Sequence, residues 1–221
     1  MRIIDLHTHT TASDGSFTPV ELIDYAVEKK LAAIAITDHD TMAGIQKAID
    51  HIRDAKLSLE LIPGIEVSTT HPSAPFGLHI LAYFIGKDDK QLADILTNFQ
   101  RDIQHSSGSP RDAIKIISRH GGIPVLAHPK DYFLSIKGME GLVEELISFG
   151  LKGLECIYTT HSASETEQFK KIASRHDLLI TGGTDFHGLR KPDVDLGSGF
   201  GNLIIPYESV NSLKKMAVTK G

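Results

Sequence analysis

The sequence predicts an α/β barrel that forms one domain over residues 1–221. Short runs of Ile, Leu, Val and Ala, typical of buried parallel strands, alternate with amphipathic helical patterns along nearly the whole chain. About seven such strands can be recognised, and polar motifs follow almost every one. Because catalytic residues of a (β/α) barrel collect at the ends of several strands, this distribution favours a barrel over the alternative, a doubly wound open sheet with one crevice.

The first half of the chain begins with a strand and a helix whose start is well marked. "RIIDLH" is predicted as a buried strand, and "TPVELIDYAVEKK" as a helix with Thr18 as N-cap, Pro19 as first helical residue and Glu21 closing a capping box. The alternation continues with strand "AAIAITDH", helix "MAGIQKAIDHIRDA", strands "LELIPGIEVST" and "GLHILAYFI", and helix "DKQLADILTNFQRDI".

A joint of small residues, "HSSGS" at 105–109, connects that helix to the helical pattern "PRDAIKIISRHGG". Its composition is typical of a flexible linker. Beyond it the alternation resumes with strand "IPVLAHP", helix "GLVEELISFG", strand "GLECIY", helix "SETEQFKKIASRH", strand "LLITGGTDFHG" and a closing helix "YESVNSLKKMAVTK".

Composition excludes several classes of protein. With 23 basic and 28 acidic residues mixed along the chain, no broad cationic surface is expected to follow a nucleic-acid backbone. Cys156 is the only cysteine, so an intramolecular disulfide is impossible. No leader follows Met1 and no apolar run is long enough for a bilayer, so we expect a cytoplasmic protein without membrane association or a stable protein partner.

Residues of metal-ligand type stand at the predicted strand ends. They are His7, His9, Asp14, His39, Glu66, His79, His128, Asp185 and His187. Imidazole and carboxylate without thiolate are the ligands of Zn, Mn and Fe ions, and the i, i+2 spacing places Asp5, His7 and His9 on one strand face. Because nine ligands are too many for one ion, two or three divalent ions are predicted, with Glu66 as the bridging carboxylate.

Other polar residues near these positions are expected to support the candidate ligands and not to bind metal themselves. Asp38 and Asp5 are predicted to accept hydrogen bonds behind the ligands, and Asp40 to cap the following helix. Glu155 lies within an apolar strand, so its carboxylate needs a partner, either a ligand that it positions or the substrate. For His161 a substrate contact and a plain loop position both remain open.

Five motifs together resemble one known family. "HTHTTASDG", "TDHD", "PGIEVS", "LAHP" and "GGTDFHG" are similar to the polymerase and histidinol phosphatase (PHP) family over nearly the whole chain, especially to its nucleotide and oligonucleotide phosphoesterases. The resemblance implies a distorted (β/α)7, TIM-like barrel with a trinuclear metal site. It implies three ligand sets: His7, His9, Glu66 and Asp185; Asp14, His39 and His187; and Glu66, His79 and His128.

The resemblance also implies a reaction. We expect a metal-dependent phosphoesterase that hydrolyses phosphate monoesters, either a nucleotide 3',5'-bisphosphate or a short oligonucleotide, by attack of a metal-bound hydroxide. Asp14 and His187 would be essential ligands, and Lys130 and Arg190, or Lys191 in place of Arg190, would orient the phosphate.

Alternatives to this reaction remain open. The protein could be a histidinol-phosphatase-like enzyme or an inert metal-binding scaffold. The carboxylate of Asp14 argues against the first alternative, because many relatives have His at this position. An amidohydrolase-type barrel would need a bridging lysine on a middle strand. Cys156 is expected in the core and not as a nucleophile.

The "HSSGS" joint falls where relatives of the nucleotide branch carry a helical insertion that caps the metals. The resemblance therefore implies that the cap is absent here, at about residues 104–110. Either the chain is naturally minimal, or the cap has been cut out and bridged by a Ser/Gly linker. The flexible composition slightly favours a cut chain, because natural tight connections use a defined Gly or Asn cap.

Overall fold

The computed structural model describes residues 2–84, 89–132 and 134–218. In these parts of the chain seven strands form one sheet, with spatial order equal to chain order. The strands are β1 (Ile4–Asp5), β2 (Ala33–Ile36), β3 (Glu60–His71), β4 (Ala74–Tyr83), β5 (Ile123–Leu126), β6 (Gly153–Tyr158) and β7 (Leu179–Gly183).

Seven α-helices accompany the sheet over the same residues. They are α1 (Pro19–Glu28), α2 (Ile45–Asp54), α3 (Asp89–Gln104), α4 (Pro110–Arg119), α5 (Ile136–Phe149), α6 (Ala163–Arg175) and α7 (Glu208–Val218). The capping box predicted for α1 is confirmed, since Glu21 N donates to Thr18 Oγ1 at 3.2 Å and Thr18 N to Glu21 Oε2 at 2.8 Å. No helix in the described ranges has both the length and the apolar character that a bilayer crossing requires.

One strand departs from the predicted parallel sheet. β4 runs antiparallel to both β3 and β5, whereas the other neighbouring pairs are parallel. Only Pro72 and Ser73 connect β3 to β4, and a parallel pair would need a crossover of a dozen residues or more. The absence of a helical pattern between these two strands was therefore the signal for a hairpin.

The two ends of the sheet meet, which confirms the distorted barrel. Leu6 N donates to Gly182 O at 3.2 Å, and Thr8 forms a parallel bridge with Phe186. Gly183 makes this approach possible, because a Cβ there would lie 2.1 Å from the Cβ of His7. The close passage of β7 past His7 thus depends on a glycine.

The long hairpin places two predicted ligands differently from the expectation. Glu66 lies inside β3, opposite His39 in a parallel bridge, and His79 lies inside β4, opposite Ser68. The prediction that both residues end their strands was wrong, because β3 and β4 continue beyond the point where β2 and β5 stop. Both side chains nevertheless reach the barrel mouth at which the parallel strands end.

The joint between α3 and α4 has a defined structure. Ser109 caps α4 by accepting a hydrogen bond from Asp112 N at 3.2 Å, and Gly108 has the left-handed φ of +72°. Gly108 O accepts a hydrogen bond from Thr70 N of β3 at 2.9 Å. The joint is therefore not the flexible linker that its composition predicts, and that composition is no evidence of a cut chain.

Candidate metal centre

A cavity of about 470 Å³ opens at the barrel mouth. Seven of the nine predicted ligands line it: Asp14, His39, Glu66, His79, His128, Asp185 and His187. The other two, His7 and His9, are fully buried. The structure therefore brings all nine together at one site, although their positions in the sequence span residues 7 to 187.

Glu66 is the centre of this cluster. Its Oε1 lies 2.9 Å from both His79 Nδ1 and His128 Nε2. Its Oε2 lies 3.0 Å from His7 Nε2, 3.2 Å from His9 Nε2 and 3.4 Å from His39 Nδ1. A carboxylate that is 1% exposed and faces five imidazoles is placed to bridge more than one cation.

Asp185 is the second buried carboxylate of the cluster. Its Oδ1 lies 3.1 Å from His9 Nε2 and 3.6 Å from His7 Nε2. The other oxygen, Oδ2, accepts hydrogen bonds from Tyr158 Oη at 2.9 Å and from Lys191 Nζ at 2.5 Å. One oxygen therefore faces the ligand cluster while the outer hydrogen bonds fix the carboxylate plane.

Asp14 approaches the cluster from the turn after β1. Its Oδ1 lies 3.3 Å from His187 Nε2 and 3.6 Å from His9 Nδ1, and its Oδ2 lies 4.0 Å from His39 Nε2. The side chain is 51% exposed, so this part of the site meets solvent. The burial pattern separates an inner region around Glu66 from an outer one around Asp14.

Glu155 and Asp38 lie behind the ligands and hold them in place. Glu155 Oε1 lies 3.1 Å from His7 Nδ1, and Glu155 Oε2 accepts from His128 N at 2.8 Å. Asp38 accepts from Thr10 N at 2.7 Å and Ser13 Oγ at 2.6 Å, which fixes the turn that carries Asp14. For Glu155, the structure thus supports the positioning alternative over a substrate contact.

Asp5 and Asp40 have roles that differ in part from the expectation. Asp5 accepts hydrogen bonds as predicted, from Thr184 N and Gly197 N at 3.0 and 2.9 Å, and it belongs neither to the cavity lining nor to the groups of candidate ligand atoms. Asp40 does not cap α2, since it accepts from Ser68 N at 2.8 Å and the N-cap of that helix is Gly44.

The charges within the cluster compensate one another. Burial alone would raise the pKa of Glu66, but the imidazoles of His7, His128 and His79 hold it well below its usual range. Burial likewise opposes protonation of His9, yet the carboxylates of Asp185 and Glu66 raise its pKa to about 9. Against the same effect of burial, the imidazoles of His7 and His9 hold the pKa of Asp185 well below its usual range, so positive charge beside these carboxylates favours their ionised form.

The donor set fits divalent metal ions. Three groups have ligand atoms within 4.8 Å of one another: His7, His9, Glu66 and Asp185; His9, Asp14, His39 and His187; and His39, Glu66 and His79. Among the described residues, both ring nitrogens of His9 and the Nδ1 atoms of His39 and His128 are buried without a hydrogen-bond partner. Orphaned imidazole nitrogens beside ionised carboxylates are the atoms that a cation would satisfy.

Two ligand positions have an unusual backbone. Asp185 has φ of +57° and His128 has φ of +23°, in the left-handed region that residues other than glycine rarely occupy. Such conformations persist only where surrounding contacts enforce them, and they concentrate at functional sites. At His128 the hydrogen bond from its backbone N to Glu155 provides such a contact.

The three candidate phosphate-binding cations lie in different surroundings. Arg190 and Lys191 line the cavity. Lys130 is not among its lining residues, and its Nζ donates to Thr160 O at 2.8 Å and Glu165 Oε2 at 3.1 Å. The position of Lys130 outside the cavity lining counts against it as a phosphate ligand, whereas Lys191 lines the cavity although its Nζ also pairs with Asp185 Oδ2.

His161 and Cys156 take no direct part in the cavity lining. His161 Nδ1 lies 2.9 Å from Cys156 O, and its ring packs on Phe169 with centroids 4.7 Å apart. Burial raises the pKa of the Cys156 thiol, so a nucleophilic thiolate is disfavoured. Of the two alternatives for His161, the structure favours the one without a substrate contact.

Sequence reasoning missed two tyrosines that support the site. Tyr158 holds Asp185, and Tyr132 Oη accepts from His79 N at 3.1 Å and donates to Ala127 O at 3.0 Å. Tyr158 ends a strand directly before a loop, which was a usable signal. Tyr132 lies in a short helical turn after "LAHP" and has no such signal in the sequence.

Comparison with known proteins identifies one domain family and several similar enzymes. The pattern of the PHP domain family matches residues 5–101. The chain is 30% identical to the 5'-3' exoribonuclease Rnm of Escherichia coli, with 84% of this chain and 85% of the relative covered. It is 27% identical to a 3',5'-nucleoside bisphosphate phosphatase of Chromobacterium violaceum, with coverage of 89% and 91%.

A solved structure shares the fold. The crystal structure of a candidate metal-dependent phosphoesterase from Bifidobacterium adolescentis superimposes with a TM-score of 0.76 at 23% identity, covering 96% of this chain and 95% of the other. The alignment with the Escherichia coli exoribonuclease extends over 249 positions, more than the 221 residues of this chain. That relative therefore has residues inside the matched region that this chain lacks.

Proposed function

The chain belongs to the PHP family of metal-dependent phosphoesterases, and from that premise we propose that it hydrolyses phosphate monoesters of nucleotides or short oligonucleotides at the barrel mouth. The observation that carries this proposal is the buried carboxylate of Glu66 surrounded by five imidazoles. The names of the matched exoribonuclease and bisphosphate phosphatase support the substrate class.

We propose that the site holds two or three ions of Mn, Fe or Zn. His7, His9, Glu66 and Asp185 would hold the first, Asp14, His39 and His187 the second, and Glu66, His79 and His128 the third. Two groups of ligand atoms support the first and second sets. The third group contains His39 in place of His128, and the third set is supported instead by the distances of 2.9 Å from Glu66 Oε1 to His79 Nδ1 and His128 Nε2. When bound, such ions activate water for attack on phosphorus and neutralise charge on the phosphoryl oxygens.

The residues of the chain supply binding and orientation. Arg190 and Lys191 stand at the cavity, where guanidinium and ammonium groups bind the oxygens of a phosphate. Tyr158 and Glu155 hold Asp185 and His7 in fixed orientations, so the ligand atoms need little rearrangement. No side-chain nucleophile is required, in agreement with the buried, protonated thiol of Cys156.

Metal analysis combined with an assay tests this proposal. Purified protein is analysed for metal content, and anomalous scattering locates each ion in a crystal. We expect two or three ions around Glu66 and metal-dependent release of phosphate from a nucleoside bisphosphate. One ion far from His79 and His128 would contradict the proposed site, and full occupancy without phosphate release from any monoester would indicate an inert scaffold.

A further inference from the structure

Phe76 occupies an unusual position for a large apolar side chain. It is 85% exposed, the highest value among the large apolar residues that the structure describes, and it lines the same cavity as the ligand cluster. Because the ring lies at the mouth of the cavity, a ligand that occupies the cavity can cover it, and covering apolar surface favours binding. The metal centre itself gives no reason for an aromatic residue here.

The hairpin that carries Phe76 is firmly anchored on both sides. Thr69 Oγ1 donates to Leu78 O at 2.5 Å across the hairpin, and Thr70 N donates to Gly108 O at 2.9 Å. His71 Nε2 lies 3.3 Å from Glu145 Oε2 of α5. The hairpin that carries Phe76 is thus held by contacts within the protein that do not depend on a ligand.

Gly77 keeps the space between this ring and the metal ligands open. Its φ is +102°, and a Cβ there would lie 3.5 Å from His79 Nε2. A side chain at this position would occupy the cavity lining between Phe76 and His79. With glycine, the cavity of about 470 Å³ is continuous from the ligand cluster to the aromatic ring and is larger than a phosphate group requires.

We propose that Phe76 is a specificity-determining residue that stacks on the aromatic part of the substrate while the phosphate lies against the ligand cluster, Arg190 and Lys191. This proposal rests on the proposed phosphoesterase function and deepens it. It assigns the substrate class as phosphate monoesters whose alcohol carries an aromatic ring, either a nucleoside or a phenol. Stacking on one ring face is tolerant of base identity, because every base offers a π-face.

Kinetics with matched substrates test the proposal. Metal-loaded wild type, Phe76→Ala, Phe76→Trp and Phe200→Ala are compared on phenyl phosphate, a nucleoside bisphosphate and glycerol 2-phosphate. We expect Phe76→Ala to raise KM about tenfold for the two aromatic substrates with little change for glycerol 2-phosphate. Phe76→Trp should retain wild-type KM values.

Phe200→Ala is the matched control, because Phe200 is 58% exposed but does not line the cavity. It should change no KM. An equal effect of Phe76→Ala on all three substrates, or no effect on any, would overturn the stacking proposal. Failure of the wild type to hydrolyse any of the three would instead contradict the proposed function, and the two failures are therefore distinguishable.

Fluorescence gives a readout that does not require turnover. The chain contains no tryptophan, so Phe76→Trp introduces a single reporter. We expect adenosine 5'-monophosphate to quench its emission in a saturable manner, whereas inorganic phosphate should leave it unchanged. Quenching by both ligands, or by neither at concentrations where adenosine 5'-monophosphate competes with phenyl phosphate, would show that the ring does not contact the base.

Discussion

Asp14 is the ligand-type residue with the greatest solvent exposure in the cluster. Its carboxylate is 51% exposed, and the imidazoles of His187, His9 and His39 lower its pKa against the effect of partial burial. It is therefore ionised at neutral pH without contributing to the packed core. This combination separates its contribution to chemistry from its contribution to stability.

We expect Asp14→Ala to lower activity by about 100-fold or more while the melting temperature hardly changes, because loss of a ligand weakens metal binding by at least as much as loss of an outer partner. His187→Ala should lower activity to a similar extent, but with some loss of stability, because the His187 side chain is buried and stacks on His9. Asp24→Ala is the control, since Asp24 also pairs with a histidine, His51, at 2.6 Å on the surface. Aggregation of Asp14→Ala with unchanged specific activity of the remaining soluble protein would show a structural role.

Glu155 acts on the site only through the residues that it holds. Replacement by Gln keeps the size of the side chain but removes the charge that faces His7 Nδ1 at 3.1 Å. We expect Glu155→Gln to weaken metal affinity about 10- to 100-fold, measured by calorimetry, and addition of excess metal to restore most of kcat. A variant with unchanged affinity but no kcat would indicate a direct contact with the substrate instead.

The clustering of the nine candidate ligands could be predicted from the motifs that contain them, although Glu66 and His79 lie inside their strands and not at the strand ends. The contacts of the other polar residues near the site were harder to predict. Asp40 has the short polar side chain of a helix cap, yet it binds Ser68 of the neighbouring strand, a contact that exists only after β2 and β3 have paired. Lys130 follows a ligand motif in sequence but pairs with Glu165 at the start of α6.

At the scale of elements, the joint between α3 and α4 and the β3–β4 hairpin form one unit. Gly108 accepts a hydrogen bond from Thr70, so the joint, where we propose that a cap insertion is absent, adjoins the hairpin that bears Phe76. We infer that the short joint supports the hairpin from outside the mouth. The left-handed φ of Gly108 is what lets the chain reverse direction there.

Two glycines without neighbours within 4 Å of an added Cβ provide an internal comparison. Gly108→Ala should destabilise the protein by about 1 kcal/mol, because alanine disfavours a φ of +72°. Gly141→Ala, within helix α5, should stabilise it by about 0.5 to 1 kcal/mol. Urea denaturation measures both. Equal and negligible effects at the two sites would show that the joint is a flexible linker after all.

The strands and helices themselves were largely predictable, since apolar runs and capping residues specify them locally. The reversed direction of β4 was not predicted, because direction depends on the length of a connection and not on the strand's own composition. The connection of two residues between β3 and β4 forces the antiparallel direction of β4. Because every strand was assumed to be parallel to the one before it, the shortness of this connection was not used.

At the scale of the whole molecule, an acidic chain is proposed to bind an anionic substrate. The formal net charge is −5, so long-range attraction of phosphate is absent and binding depends on local charge at the mouth. Arg190, Lys191 and the metal ions proposed above would supply that charge. On this proposal, specificity depends on the few groups around the cavity.

Several candidate metal ligands at the barrel mouth are partly exposed to solvent. His39 and His79 are 28% and 25% exposed at the side chain, and the half-exposed carboxylate of Asp14 lies 4.0 Å from His39 Nε2. We propose that the residues missing from this chain relative to its aligned relatives would cover this region as a cap. Without a cap, water is not excluded and the remote part of a substrate is held by Phe76 alone.

We therefore expect hydrolysis of simple aryl phosphates alongside nucleotides, with weak discrimination among nucleotides. Binding energy would come mainly from the phosphate, and one stacked ring adds an increment that differs little from base to base. Values of kcat/KM for the four nucleoside bisphosphates should agree to within about tenfold, a spread of about 1.4 kcal/mol in transition-state binding. Phenyl phosphate measured in parallel gives the reference. A kcat/KM for one nucleotide that exceeds the value for phenyl phosphate by several orders of magnitude would contradict this expectation. It would mean that the barrel recognises the nucleoside through contacts beyond the ring of Phe76.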